Sequence, residues 1–218
     1  MATINRKVLT KNFTTTPSKI TPTIERLCAE INANESPIFV PVKPDLEAIS
    51  SECFHNVSKK VERDGGSILY GWNLWEWSRV FVEAEHHAVW VKDGELTDVT
   101  PKQNRERKIL FLPDPSRTYD FANQKRLINI KRSLRRYPSV ESWIKATDDF
   151  QNAVERNSVG DQASFSQFEM HHHQEAIMNA MLDVILDLAA DTKPRERCIC
   201  ASGKEFRKCC SKHIQFWN

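Results

Sequence analysis

The sequence predicts an α+β fold, in which an antiparallel sheet and a cysteine-bearing helix are followed by a helical half and a short cysteine-rich tail. Apolar runs typical of strands fill much of the first half, apolar residues at helical spacing fill residues 139–190, and four cysteines lie near the C-terminus. A chain of 218 residues, 40% of them hydrophobic, can bury one substantial core and an appendage. We divide it into a flexible arm (1–20), a core (21–113), a helical region (114–192) and the tail (193–218).

Helices and strands alternate through the predicted core. A proline suited to a first helical turn begins a helix expected over residues 22–32. A strand follows over residues 38–42, and its proline indicates the edge of a sheet. The next helix takes Ser50 or Ser51 as its N-cap, carries Cys53 in its first turn and ends at an Asp-Gly-Gly run.

Two longer strands, expected over residues 67–72 and 80–91, lead into a hairpin. The Asp-Gly pair at its turn accepts the positive φ angles that a type I′ turn requires, so the chain returns over residues 96–99. In this register Val89 faces Asp98, because directly opposed residues of an antiparallel pair share a face.

The hairpin register selects one of two adjacent histidines. Side chains alternate between faces with period two, so His87 projects on the side of Asp98 and is its diagonal neighbour. An imidazole can reach a carboxylate across that diagonal. His86 points to the opposite face, so we predict that Asp98 orients His87.

Cys53 is the candidate nucleophile for this pair. A thiol in the first turn of a helix lies at the positive end of the helix dipole, and a nearby imidazolium lowers its pKa further. An imidazole oriented by a carboxylate is the base that such a thiol needs. The sequence therefore predicts a catalytic triad of Cys53, His87 and Asp98. Taken singly, each residue also fits a structural role, as a buried thiol, a sheet histidine or a surface acid.

A resemblance to a known superfamily lies in the same segment. His87-Ala88-Val89-Trp90-Val91 and, after the turn, Asp98-Val99-Thr100-Pro101 resemble the His-Ala-Trp-Val and Asp-Pro-Thr signature of the transglutaminase-like branch of the papain-like superfamily. The resemblance covers about residues 45–101. It implies a papain-like fold with Cys53 as nucleophile, His87 as general base and acid, and Asp98 as the orienting group.

Four tryptophans accompany the triad residues in sequence. They either line a substrate groove beside the cysteine or fill the core, and alternation along the strands leaves both interpretations open. These residues are Trp72, Trp75, Trp77 and Trp90.

The chain from residue 114 onward is predicted to be helical, over about 121–136, 139–156 and 165–190. Residues 101–137 carry 11 basic and 3 acidic side chains. We expect this basic block to cover the solvated side of an amphipathic helix, with phosphate contact as the alternative. Its last arginines are Arg132, Arg135 and Arg136.

A run of three histidines, His171 to His173, lies in the last predicted helix. Adjacent helical residues point about 100° apart and do not converge easily on one ion. We therefore predict surface histidines and no metal site there.

The tail contains four cysteines within the string CICASGKEFRKCC, residues 198–210. Thiolates suit Zn²⁺, and four of them satisfy its tetrahedral coordination. The surrounding residues supply little apolar surface, so a metal is needed to fold the segment. Four free thiols in a reducing compartment are the alternative. We predict one structural zinc ion, with the ligands Cys198, Cys200, Cys209 and Cys210.

This string also resembles the SEC-C motif, a zinc knuckle found at the end of the bacterial preprotein translocase motor and in many other bacterial proteins. The resemblance covers about residues 196–213 and includes Cys-x-Cys-x-Ser-Gly-Lys, Phe206 and the second cysteine pair. It implies zinc binding and docking to protein partners or the ribosome. Since relatives carry either Cys or His as the fourth ligand, His213 is the alternative to Cys210.

Compartment and function follow from these features as expectations. An N-terminal leader and a long apolar span are both missing from the pattern, and clustered cysteines suit a reducing compartment, so we expect a cytoplasmic protein that does not enter a membrane. The leading hypothesis is a thiol enzyme acting on a protein or peptide, as peptidase, amidase, deamidase or transglutaminase-like acyltransferase. The alternative is a non-catalytic zinc-containing adaptor that binds the ribosome, RNA or protein partners.

Overall fold

The computed structural model describes residues 2–134, 137–160 and 162–216. The α-helices in this part of the chain are α1 (Arg6–Leu9), α2 (Pro22–Ile31), α3 (Cys53–Asp64), α4 (Pro138–Asn157) and α5 (Gln167–Ala190). The strands are β1 (Ala2–Ile4), β2 (Ile38–Pro41), β3 (Ser67–Trp77), β4 (Phe81–Lys92), β5 (Glu95–Thr97), β6 (Lys108–Pro113), β7 (Ile130–Ser133), β8 (Ser158–Val159), β9 (Gln162–Ala163) and β10 (Ile214–Phe216). The fold is thus α+β with antiparallel sheets, as predicted.

The chain divides into two compact units. The sheet unit consists of Thr16–Trp75 and Val82–Arg132, and the terminal unit consists of Met1–Thr15, Glu76–Phe81 and Ser133–Asn218. Both units are built from segments that are far apart in sequence. This division differs from the sequence-based one, which placed boundaries at residues 20, 113 and 192.

The sheet has six strands: five lie in the order β2-β6-β3-β4-β5, and the sixth, β7, pairs with β4. A parallel bridge joins Val42, just after β2, to Asp98, just after β5. The N–H of Asp98 donates to the carbonyl of Pro41 and the N–H of Lys43 donates to the carbonyl of Asp98, each over 2.9 Å. These bonds join the first strand of the sheet to the last, so the strands form a closed ring.

The ring has an apolar interior and a helix-covered exterior. Val40, Val89, Ile109 and Phe111 form one buried cluster. The other face packs against the helices through two further clusters, one with Ile24, Leu27 and Cys28 of α2 and one with Cys53, Phe54 and Val57 of α3. Since side chains alternate along β4, His87 projects on the face of Val89 and His86 on the face of Ala88.

The predicted hairpin register is confirmed. Trp90 pairs with Thr97, and Val91 pairs with Leu96. Asp93 and Gly94 have φ angles of 52° and 81°, the positive values that the turn requires. The hairpin therefore brings Asp98 to its predicted position, diagonal to His87.

The terminal unit is built around α4 and α5. The buried side chains of α5 are Val184, Ile185, Leu188 and Ala189. A capping box between Ser166 and Glu169 fixes the start of α5. The core of this unit also includes Val8 of α1 and all four tail cysteines.

The first residues of the chain differ from the predicted flexible arm. β1 pairs with β10, with Ala2 opposite Phe216 and Ile4 opposite Ile214. Val8 is fully buried. The partners of this segment lie about 200 residues away in sequence, so no local pattern could indicate that it is ordered.

The helix predicted over residues 121–136 does not form in the described part of that range. Asp120 accepts hydrogen bonds from the N–H groups of Ala122 and Asn123, which makes a turn, and Gln124 has a φ of 54°. Residues 130–133 form β7 instead. Arg135 and Arg136 lie outside the described residues. The strands β6 and β7 are additions that the sequence analysis lacked, whereas α2, α4 and α5 agree with it within a few residues.

Candidate active site and metal centre

Asp98 lies where the ring of strands closes, and its side chain is fully buried. Its Oδ1 accepts a hydrogen bond of 2.9 Å from the N–H of Thr100. Its Oδ2 lies 3.1 Å from Nε2 of His87 and 2.5 Å from Nζ of Lys102. Burial alone would raise the pKa of this carboxyl, but the charges and hydrogen bonds of His87 and Lys102 outweigh burial and lower it to about 2. Asp98 is therefore an ionised acceptor.

His87 is 3% exposed, on the inner face of β4. Its pKa reflects opposing influences: burial and the charge of Lys102 lower it, whereas a Cys53 thiolate and Asp98 raise it, and the net result is a rise to about 9. The Cys53 charge exerts the largest upward effect. No described hydrogen bond joins the Cys53 thiol to the imidazole.

Cys53 is the first residue of α3 and is 4% exposed. The N-cap is Glu52, and neither Ser50 nor Ser51, because Ser51 has a φ of 68° and lies in the turn before the helix. Glu52 makes no side-chain capping bond, which leaves the first N–H groups of α3 without a side-chain acceptor from that residue. The sulfur thus lies at the start of a helix, the end at which the helix dipole is positive.

Asn56 connects this helix start to the strand that carries the carboxylate. Its amide group bonds both the N–H and the carbonyl of Ile49, over 2.9 and 2.7 Å, and donates to Oγ1 of Thr100 over 3.2 Å. Thr100 in turn donates its N–H to Asp98. Two hydrogen bonds therefore fix the first turn of α3 relative to the carboxylate.

A segment of the sheet unit covers Cys53. Tyr119 stacks on Phe54 with ring centroids 4.3 Å apart and belongs to the cluster that buries the thiol. Arg126 donates to the carbonyl of Ser51 over 2.7 Å and pairs with Glu52 over 3.2 Å. The nucleophile candidate is therefore shielded from solvent in this conformation.

The four tryptophans differ in environment. Trp72 and Trp77 are 3% and 2% exposed and belong to the cores of the sheet unit and the terminal unit, respectively. Trp75 donates to a carboxylate oxygen of Glu85, and Trp90 donates to the carbonyl of Gly65. Trp72 and Trp77 are therefore core residues.

Lys102 is the site residue that the sequence analysis missed. Its side chain is 8% exposed and its Nζ lies 3.3 Å from Nε2 of His87, besides its ion pair with Asp98. A lysine four residues after the predicted aspartate was the available signal. In a stretch with several basic side chains, that signal did not stand out.

The four tail cysteines cluster within metal-binding distance. Their sulfur atoms lie within 4.8 Å of one another, and all four residues are buried. The sulfur of Cys200 is 3.6 Å from that of Cys198 and 3.6 Å from that of Cys209. Cys210 completes the group, and His213 is not part of it.

Main-chain geometry supports the cluster. The N–H of Cys198 donates to the carbonyl of Lys204 over 2.7 Å, and the N–H of Cys210 points at the sulfur of Cys198 over 3.5 Å. The adjacent sulfurs of Cys198 and Cys200 raise the pKa of the Cys210 thiol. Four thiolates at this spacing repel one another, so a central cation is what allows them all to be deprotonated.

The three histidines of α5 do not join any metal-ligand group among the described residues. His171 and His172 are exposed, and His171 lies 3.6 Å from a carboxylate oxygen of Glu175, one turn later on the same helix.

Comparison of the chain with protein-family models, with curated proteins and with solved structures finds no match. Within residues 2–134, 137–160 and 162–216, no helix has the length and hydropathy required to cross a membrane. The two side-chain clusters therefore carry the functional argument.

The raised pKa of His87 predicts a pH-dependent stability. A group whose pKa rises from 6.5 to about 9 on folding contributes stability that is complete below pH 6.5 and is lost as pH rises through 9. The free energy of unfolding of the wild type, relative to His87→Gln, should fall across this window by about 3 kcal/mol at most. Urea denaturation at both ends of the window measures it.

His172→Gln serves as the matched control, because His172 is exposed on α5. Its difference from the wild type is measured over the same pH window. If the His87→Gln difference did not change with pH, the predicted rise in the pKa of His87 would be wrong.

Proposed function

We propose that this protein is a thiol-dependent enzyme that transfers or hydrolyses acyl groups of amide substrates, with a zinc-stabilised docking motif in its terminal unit. The observation that carries the proposal is the buried hydrogen bond of 3.1 Å between His87 and Asp98, in a unit that also contains a thiol at the start of α3. A carboxylate that holds one ring nitrogen leaves the other for the thiol proton.

Each residue then has a defined role. Nδ1 of His87 accepts the proton of Cys53, and the thiolate attacks the acyl carbon of the substrate. His87 returns that proton to the leaving amine, which gives a thioester on Cys53. Water or a second amine then attacks the thioester, with His87 as base. While Nδ1 takes up and returns this proton, Nε2 carries a proton of its own, and Asp98 accepts from it and stabilises the imidazolium.

The start of α3 supplies an anion site for this chemistry. The first N–H groups of a helix have no acceptor within the helix, so the N–H of Cys53 can donate to the oxyanion of a tetrahedral intermediate. The order of a cysteine-bearing helix followed by strands with His and Asp supports the papain-like arrangement that the sequence resemblance implies.

Substrate access requires a movement of the covering segment. Tyr119 stacks on Phe54 in the cluster that buries the thiol, and Arg126 holds this segment to the turn before α3. We infer that an acyl substrate displaces Tyr119 before Cys53 reacts. A protein or peptide is the substrate class that the superfamily resemblance implies.

The metal that best fits the tail is zinc. A tetrahedron of thiolates at about 2.3 Å from zinc has edges of about 3.8 Å, close to the two sulfur separations of 3.6 Å in the cluster. Four sulfur ligands leave no open position, so the ion has a structural role. The SEC-C resemblance supports docking to a protein partner or the ribosome as the use of this motif.

Cys53 should react with iodoacetamide faster than an ordinary buried thiol, with a pH profile set by His87. We expect His87→Ala to slow the labelling at neutral pH on the order of tenfold or more, because the thiolate loses its imidazolium. Tyr119→Ala, with Cys53 and His87 unchanged, should accelerate labelling of Cys53, because it removes a side chain from the cluster that buries the thiol. Peptide mapping by mass spectrometry identifies the labelled cysteine.

Cys28→Ser is the control, since burial raises the pKa of Cys28 to about 12 and it should contribute no labelling. The rate at which iodoacetamide labels Cys53 should be the same in Cys28→Ser as in the wild type. The enzymatic proposal would be refuted if His87→Ala left the labelling rate of Cys53 unchanged, both in the wild type and in the Tyr119→Ala variant.

Zinc should be present at one ion per chain and should stabilise the terminal unit. We expect Cys200→Ser to abolish stoichiometric zinc and to loosen the tail, because structural zinc binding is coupled to folding. Elemental analysis and hydrogen exchange of residues 193–216 measure both effects, with Cys28→Ser as the matched control. A fully folded wild-type tail without metal would contradict the site.

A non-catalytic adaptor is the second candidate, and the burial of Cys53 favours it. Two side chains of the basic block are engaged within the sheet unit: Arg132 bonds Glu30 over 2.8 Å, and Lys131 is 9% exposed. Any RNA binding should therefore depend only weakly on these two residues.

Fluorescence anisotropy with a structured RNA at two salt concentrations tests that candidate. An RNA-binding adaptor should lose affinity steeply with salt, since phosphate contacts release counterions. Arg132→Gln should weaken binding by about threefold or less if Glu30 already neutralises it. Affinity that is independent of salt would exclude an RNA-binding role.

A further inference from the structure

Lys102 is placed against both partners of the proposed histidine–aspartate pair. Its Nζ lies 2.5 Å from Oδ2 of Asp98 and 3.3 Å from Nε2 of His87, and its side chain is 8% exposed. Charges at such distances act strongly in a site that excludes water. A lysine in this position must therefore influence the proton on the imidazole.

Asp98 and Lys102 require Nε2 of His87 to be in opposite protonation states. To bond Oδ2 of Asp98, Nε2 must carry a proton and donate it. The ammonium of Lys102 has only donors, so a bond from Lys102 needs Nε2 as an acceptor. A neutral His87 that accepts from Lys102 carries its proton on Nδ1, and that nitrogen then cannot accept the proton of Cys53.

We propose that Lys102 is a positioning residue that selects the ring nitrogen on which His87 carries its proton and thereby restrains activation of Cys53. The inference rests on the proposed function, because restraint has a meaning only if His87 serves Cys53 as a base. With Lys102 in place, the neutral ring carries its proton on Nδ1, which is the resting state of the site. Displacement of the ammonium leaves Nδ1 free to accept the proton of Cys53.

The charged and titratable groups around His87 are consistent with restraint. The charges that act on it come from Cys53 of α3 and from Asp98 and Lys102 in the chain after β5, and His86 is its neighbour on β4. Lys102 opposes protonation of His87, whereas Cys53 and Asp98 favour it. Removing the lysine therefore favours the imidazolium and its thiolate partner.

The test compares Lys102→Met, which removes the charge at similar length, with Lys102→Arg, which keeps the charge. Lys102→Met should raise the titration midpoint of His87, followed by nitrogen-15 NMR of the imidazole, by about one pH unit or more. It should also increase labelling of Cys53 by iodoacetamide near pH 9, the midpoint expected for His87 in the wild type, by up to about twofold. Lys102→Arg should change both values much less.

A purely structural role for Lys102 predicts the opposite labelling result, since loss of a buried ion pair would disorder the site and slow the His87-dependent reaction. An unchanged midpoint in Lys102→Met, or slower labelling by a folded variant, would overturn the inference.

The wild type provides a measurement that needs no substitution. Above the midpoint of His87, the nitrogen-15 shifts should report a neutral ring protonated on Nδ1. A ring protonated on Nε2 would refute the inference, whether or not the variants fold. The NMR result is independent of Cys53 labelling, so failure of the enzymatic proposal and failure of the Lys102 inference are distinguishable.

Discussion

The buried carboxylate of Asp98 is the constraint on which the sheet unit depends. Its backbone N–H and carbonyl bond the residues on either side of Val42, which closes the ring of strands. Its side chain is fully buried, and a buried charge is tolerated only where several donors satisfy it. The same residue therefore completes the fold and fixes the orientation of His87, so fold closure and site geometry cannot vary independently.

The position of the thiol follows from the same network. Asn56 holds the turn before α3 through Ile49 and reaches Thr100, whose N–H bonds the carboxylate. A helix fixed in this way has its N-terminus, with its positive potential, at the thiol. The stack of Tyr119 on Phe54 adds apolar burial to the cluster that contains Cys53. The packing that stabilises this part of the sheet unit therefore also buries the thiol.

The terminal unit uses cysteines as part of its core. Its buried cluster runs from Val184 and Leu188 of α5 to the four tail sulfurs and Val8 of α1. In this cluster the thiols pack among apolar side chains such as Ile199 and Phe206, and the zinc ion that we propose would add to the stabilisation that this packing supplies. The pairing of β1 with β10 adds main-chain hydrogen bonds to the same region. The ordered conformation of the first residues of the chain therefore depends on the tail.

The features that could be predicted from the sequence are those that depend on residues close together in the chain. The hairpin register followed from an Asp-Gly turn and strict alternation, and it led from the sequence to the pair of His87 and Asp98. The four cysteines followed from their close spacing. By contrast, residues 121–136 carry a helix-like pattern, yet Asp120 makes a turn at their start and Ile130–Ser133 pair with β4. Pairing between distant segments overrode local propensity there.

The sequence by itself determined the secondary structure of α2, α4 and α5, the partner that orients His87, and the set of four clustered cysteines, because each depends on residues close together in the chain. The tertiary structure alone decided the closure of the sheet at Asp98, the cover over Cys53, the order of the first residues and the approach of Lys102 to His87. Each of these depends on chain segments brought together by folding, or on the path of a loop, and neither leaves a periodic signal in the sequence.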